Sequence, residues 1–189
     1  MSTTDRGRVV RERLLAAAVD LIAERGWTAV TTRVLAERAG VTPGLVHYHF
    51  ASLSRLLAEA GVGVVRDALV GIRAAFDAAD TPLRIIRVLL DAMDGLDEAD
   101  VASPVFSETY LAAVRDPALR AQVTALLSDF VSTLTERFAL AGVPDAAGTA
   151  AVVTATMDGL ILHRSLTAPP DRATTERVLT RLIAPEATT

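Results

Sequence analysis

Apolar positions recur every three to four residues along almost the whole chain, and no segment alternates convincingly between apolar and polar, so the pattern predicts helices. A first helix from about Arg8 to Arg25 carries Val10, Leu14, Ala17 and Leu21 on one face and stops at Gly26. Trp27 follows that glycine, where an apolar residue folds back onto the preceding helix. Thr31 is placed to cap a second helix that buries Val34, Leu35 and Ala39 and ends at Gly40. Thr42-Pro43 is a cap followed by proline at the first helical position, which starts a short third helix ending near Phe50. Ser52 or Ser54 opens a longer one to about Asp77.

The same punctuation continues to the end. Thr81-Pro82 starts a helix to about Leu96, Ser103-Pro104 another to about Val114, and Asp116-Pro117 one that reaches Leu140 and closes at Gly142. Asp145 begins the next, to about Leu166; Pro169-Pro170 breaks it, and Asp171 starts the last, to about Ala184. The expectation is an all-α protein of about nine helices: a three-helix head over residues 1–52 and a helical body over 53–189, with no repeat or low-complexity linker.

Composition narrows the chemistry. The 189 residues are 51 % hydrophobic and 22 % charged, which excludes a disordered chain and gives about one domain's worth of core. There is no Cys, which removes disulfides, thiolate nucleophiles and Cys-ligated zinc, and three His leave little for an imidazole centre. No apolar run approaches the length of a membrane span, and Met1 to Arg13 lacks the apolar stretch of a signal peptide. The expected setting is soluble and cytoplasmic, with no membrane partner. Residues 1–60 hold eight Arg against six acids, whereas 61–189 hold eleven Arg against seventeen. A basic head on an acidic body suggests that only the head meets a polyanion.

Four residues, Ala39-Gly40-Val41-Thr42, separate helices two and three. Such a short glycine corner joins helices steeply, as in a DNA-binding helix-turn-helix, and places the second helix in the major groove. Thr42, Pro43 and Gly44 would form its end nearest the base edges, where small residues let the backbone approach and the dipole favours phosphate. His47 and Tyr48 lie one turn on, with Leu45, Val46 and Phe50 facing inward. The bland alternatives are ring packing for Tyr48 and His49, and a solvated helix end rather than phosphate contact for Arg6, Arg8, Arg11 and Arg13. Trp27 reads as core.

The stretch TTRVLAERAGVTPGLVHYHF, residues 31–50, with AERGW before it at 23–27, resembles the signature of TetR-family transcriptional regulators. The resemblance is specific over about residues 8–60; beyond, it rests on helix number and length. It implies a homodimeric repressor, one head per half-site of a near-palindromic operator, released when a small-molecule effector in the body shifts helix four. It places phosphate contact at Thr31, Tyr48 and His49, beside Thr32 and Arg33, and readout at Thr42, Pro43, Gly44 and His47. Members commonly carry Lys where this chain has Leu53, so Ser54 or Arg55 is the expected substitute phosphate contact.

In the body, Ala147, Ala151, Ala155 and Gly159 recur at i+4 on helix eight, a row that lets another helix approach closely. With Val178 and Leu182 of helix nine, beside Leu179 and Ile183, it is the expected dimer interface; packing within the subunit is the alternative. Candidate ligand contacts are Met93, Phe106, Tyr110, Phe130, Met157 and His163, with Glu108 as a further polar group, each of which could instead be ordinary structure. The acids Asp91, Asp94, Asp97, Glu98 and Asp100 read as solvated surface rather than a cation site. No metal and no cofactor is expected. An all-α interaction protein with a degenerate head is the competing function. A small all-α enzyme has less support, because His47 and His49, two apart on a helix, do not share a face.

Overall fold

A computed structural model describes residues 3–95, 101–164, 166–168 and 170–184. Among these the chain is all-α, with helices α1 Thr3–Arg25, α2 Thr32–Ala39, α3 Pro43–His49, α4 Leu53–Phe76, α5 Pro82–Asp94, α6 Ala102–Arg115, α7 Pro117–Leu140, α8 Ala146–Arg164 and α9 Arg172–Leu182. A single 3-10 turn, Trp27–Ala29, follows α1. The expected starts hold because a side-chain oxygen meets an otherwise orphaned helical N–H. Thr31 accepts from the Val34 N–H at 3.3 Å, Thr81 from Arg84 at 3.3 Å, Asp116 from Ala118 at 2.9 Å and Asp171 from Thr174 at 2.8 Å. Ser52, not Ser54, caps α4 by accepting from the Arg55 N–H at 3.2 Å.

Two starts differ from expectation. Helix α1 begins at Thr3, ahead of Arg8. Helix α6 begins at Ala102, and the Ser103 hydroxyl, expected at its opening, is buried without a hydrogen-bond partner. Helix α5 ends at Asp94, and the expected end at Leu96 lies outside the described residues.

The chain packs as two compact units. The first holds residues 1–66 and 101–123, so the three-helix head does not pack alone: the first half of α4, α6 and the start of α7 belong to the same unit. Leu14, Leu21, Ile22, Leu35, Val46, Phe50 and Leu56 are buried there together with Val105 of α6. Trp27 lies half-buried at the edge of this core rather than within it. Gly61 of α4 is where α6 comes close: a Cβ at that position would sit 2.3 Å from Thr109 Oγ1 and 3.2 Å from the Trp27 ring. The sequence suggests a boundary at 52/53, whereas packing divides the chain within α4.

The second unit holds residues 67–100 and 124–189. Its core joins Phe76, Ile85, Ile86, Leu89, Phe130, Leu134, Phe138, Val153, Met157 and Leu179, with the Phe76 and Phe130 rings 6.1 Å apart. Arg73 ties α4 to α7, donating to Asp129 Oδ2 at 2.7 Å, and this hydrogen bond holds the Asp129 carboxyl below its ordinary range. Helix α9 is held to α5 by Arg172 on Asp91 and Asp94 and by Arg87 on Glu176 at 2.9 Å.

Helix α8 corrects one expectation. By length and composition, Ala146–Arg164 is long and apolar enough to cross a membrane. Its alanines and valines raise the average, and 22 % of the stretch is buried inside the protein, where Ala150, Val153 and Met157 pack into the core just described.

Candidate nucleic-acid interface

The corner between α2 and α3 is built by Gly40, which adopts φ +65° and ψ +40°, a left-handed conformation that a side chain would strain. Its N–H donates back to the Glu37 carbonyl at 3.1 Å and the Val41 N–H to Ala36 at 2.9 Å, closing α2 and turning the chain. Arg13 of α1 fixes the corner from behind, donating to the Ala39 carbonyl at 2.7 Å. Helix α3 then buries one anchor, Val46, with Phe50 just beyond it, and Leu45 is half-buried.

Everything else on α3 faces outward or sits half-exposed. Thr42, Pro43, Gly44 and His47 are exposed. The Thr42 hydroxyl makes no cap bond, and nothing lies within 4 Å of where a Gly44 Cβ would be, so the Thr42 side chain and the Gly44 face are open. Tyr48 is 81 % exposed, which decides against ring packing as its role. His49 is half-buried, edge-on to the Tyr48 ring at 5.1 Å and beside Gly7 of α1. Thr31, Arg33, Ser54 and Arg55 are exposed and Thr32 half-exposed. Leu53, at the position where relatives of this signature commonly carry Lys, packs against the head's core.

The arginines divide in a way the sequence does not reveal. Arg11 pairs with the Glu59 carboxylate at 2.5 Å and lies 4.8 Å over the Phe50 ring; Arg13 holds the corner; Arg8 pairs with Glu12 at 2.7 Å. The choice between phosphate contact and solvated helix end therefore misses what Arg11 and Arg13 do, which is to fasten α1 to its neighbours. Arg38 grips Glu24 at 2.6 Å, which lowers the Glu24 pKa and raises that of Arg38 through the shared hydrogen bond. Glu108 of α6 is another structural group. The Trp27 backbone N–H donates to its Oε2 at 2.6 Å, across 81 residues of sequence, a separation at which no local pattern could have signalled it.

The other candidates scatter. Met93, Phe130 and Met157 lie in the core of the second unit, where Met93 also lines a cleft of about 40 Å³ with Leu90, Leu160, Arg164 and Arg172. His163 is exposed on α8. Phe106 and Tyr110 belong to the first unit, stacked on α6 with centroids 4.4 Å apart. On the seam candidates, Ala147, Ala151 and Ala155 are exposed, Val178 and Leu182 are half or nearly half exposed, and a Cβ at Gly159 would meet nothing within 4 Å. Of the acidic run, Asp91 and Asp94 are bridged by Arg172, and Asp97, Glu98 and Asp100 lie outside the described residues.

A short, outward-facing helix presented by a glycine corner on a packed three-helix head defines a helix-turn-helix DNA-binding protein. Comparison with known proteins agrees. Residues 14–62 match the pattern of bacterial regulatory proteins of the tetR family, and residues 105–185 match a tetracyclin repressor-like C-terminal domain. The transcriptional regulator BetI of Rhizobium meliloti (strain 1021) is 31 % identical over 171 residues, covering 86 % of this chain and 81 % of BetI. Among solved structures, a transcriptional regulator from Streptomyces coelicolor A3(2) superposes with a TM-score of 0.77 at 32 % identity, over 93 % of this chain and 99 % of that one. The multidrug binding protein EbrR, complexed with imidazole, gives 0.71 at 30 % identity over 94 % and 97 %. The chain belongs to the TetR family: it is a DNA-binding transcriptional regulator, from a family of regulators rather than enzymes.

Proposed function

We propose that the protein is a homodimeric repressor that binds a near-palindromic operator in the cytoplasm and leaves it when a small molecule binds the body. The observation that carries the reading is α3 itself: Tyr48 at 81 % exposure and the exposed Thr42-Pro43-Gly44 end face outward, with neither the Thr42 hydroxyl nor the Gly44 face taken up by the chain. Thr42, Pro43, Gly44 and His47 read bases, while Thr31, Thr32, Tyr48 and His49 contact phosphates. Arg33, Ser54 and Arg55 add to the phosphate contacts, since Leu53 is turned to the core.

The dimer forms through α8 and α9, where the exposed row Ala147, Ala151, Ala155 and Gly159 meets its own copy beside Val178 and Leu182. Two heads then address half-sites roughly 34–36 Å apart. Relatives crystallised with small molecules, EbrR with imidazole among them, support an effector. A ligand acts only through its differential affinity for the DNA-bound and released states, here by shifting helix four and with it the spacing of the heads.

Selection from random duplex DNA by the purified protein at near-physiological salt tests the reading. An enriched inverted repeat, with the logarithm of affinity falling linearly in log salt, is the expected result. No enrichment would instead favour an interaction protein with a degenerate head.

A further inference from the structure

Helix α3 is seven residues long and keeps one face open, so little of it is left to fix its own pose. Its buried anchors are Val46 and, at its C-terminal cap, Phe50. The remaining hold comes from α1, which meets α3 at successive points. Arg13 donates to the Ala39 carbonyl at 2.7 Å, and its guanidinium lies 2.9 Å from where a Gly40 Cβ would be. The corner glycine thus leaves room for the arginine besides adopting the left-handed turn. Arg11, two residues earlier on α1, points another way and reaches the far end of α3, its guanidinium 4.8 Å from the centre of the Phe50 ring. One turn further back, a Cβ on Gly7 would sit 3.7 Å from the His49 ring. The Arg11 guanidinium also donates to the Glu59 carboxylate of α4 at 2.5 Å. Three elements, α1, the end of α3 and α4, therefore converge on one cation. Both side chains of the pair keep 42 % of their surface exposed, and an ion pair so wetted adds little to stability. What it fixes is direction, because Glu59 holds the guanidinium over the ring.

We propose that Arg11 is a positioning residue for operator recognition: held by Glu59, it fixes the end of α3 so that Thr42, Pro43, Gly44 and His47 meet the base edges in register. The proposal rests on the reading of α3 as the base-reading helix. Contacts to base edges demand exact donor and acceptor geometry, whereas attraction to the phosphates is long-ranged and tolerates a tilted helix. Loss of the Arg11–Glu59 pair is therefore felt in sequence preference, not in general affinity for DNA. An arginine on a DNA-binding head ordinarily suggests phosphate contact, but here the charge is already met by a carboxylate and an aromatic face. The two roles predict opposite results at Glu59. Neutralising that acid frees a phosphate-seeking Arg11 and tightens all DNA, whereas it lets a positioning Arg11 drift from Phe50 and costs the operator alone.

The test uses the full-length protein, the duplex enriched by selection and a scrambled duplex of the same length, each titrated over a range of salt. Wild type is compared with Arg11→Met, which keeps an unbranched stem but no charge, Arg11→Lys, Glu59→Gln and the Arg11→Met/Glu59→Gln double variant, with melting curves for all. Arg11→Met and Glu59→Gln are each expected to weaken operator binding about tenfold and to leave the scrambled duplex within about threefold, its salt slope unchanged. The double variant is expected to be no worse than either single one, since the pair acts as a unit, and Arg11→Lys to recover most of the preference. Melting midpoints are expected to stay within about 3 °C of wild type. Equal weakening of both duplexes by Arg11→Met, with a slope shallower by about 1 per head, would make Arg11 a phosphate contact and overturn the assignment. Tighter binding of both duplexes by Glu59→Gln would do the same. A lowered midpoint with unchanged preference would reduce the pair to a fastening. If the wild type prefers its operator and every variant keeps that preference, base reading by α3 stands and the positioning role alone fails. A wild type without preference sinks both.

Discussion

Helices α3 and α8 each leave a face uncovered by the rest of the chain, and the two faces are chemically opposite. The exposed side of α3 is Thr42, Pro43, Gly44, His47 and Tyr48: small at one end, ring-bearing and hydrogen-bonding at the other. The exposed side of α8 is Ala147, Ala151, Ala155, Val152 and Leu162, with Leu166 just past its end. A polar face can remain in water indefinitely at no cost, so its composition has to be read as recognition chemistry. A row of small apolar residues gains free energy when a like row covers it. Exposure alone therefore says little, and the chemistry of what is exposed separates a surface for DNA from a surface for a second copy.

The largest expected effect breaks the α8 side of this contrast. Ala155→Arg puts an unpaired charge in the proposed seam, at a cost of about 3–5 kcal/mol, and sedimentation should show monomers where the wild type is dimeric. An unchanged mass would mean that this row is merely surface. On the α3 side, Tyr48→Ala should weaken every DNA sequence alike by about 1.5–3 kcal/mol without moving the melting midpoint, because the ring touches little of the protein. His47→Ala should relax preference at particular base pairs, each by about 1–3 kcal/mol. Parallel binding curves on selected and scrambled duplexes distinguish the two, and identical behaviour would reduce His47 to a phosphate contact.

A third substitution leaves both faces alone. Gly61→Ala overpacks the close approach of α6 to α4 and should destabilise the fold by about 1–3 kcal/mol in denaturant melts, less whatever alanine's better helix propensity returns. The smallest effect is one of pH. The Asp171 carboxyl lies below its ordinary range, chiefly because the Thr174 N–H and then the Thr174 hydroxyl donate to it. A folded value beneath the unfolded one contributes stability that is complete above the ordinary carboxylate range and is lost as pH falls through the folded value. The protection of the amides at the start of α9, measured against their intrinsic exchange rate at each pH, should therefore fall on acidification, and Asp171→Asn should flatten that dependence.

Much of this architecture was legible residue by residue. Thr31, Thr81, Asp116 and Asp171 announce helix starts because capping is a contact between neighbours three residues apart or fewer. Gly40 with Thr42-Pro43 announced the corner for the same local reason. Ser103 misled, since a serine before proline looks the same whether its hydroxyl caps or is buried. The arginines of α1 could not be assigned either: Arg11 finds Glu59 across 48 residues and Arg13 finds Ala39 across 26.

Most helix starts, the all-α class, the helix-turn-helix and the small-residue row on α8 were thus determined by the sequence on its own, because each depends on periodicity or on contacts within a turn or two. Which arginines fasten the head, the packing of α6 into the head's core, the clasp of Glu108 on Trp27 and the unpartnered Ser103 hydroxyl were decided only by tertiary structure. Those features join residues far apart in sequence, and whether a polar group is satisfied depends on what the rest of the fold brings within reach of it.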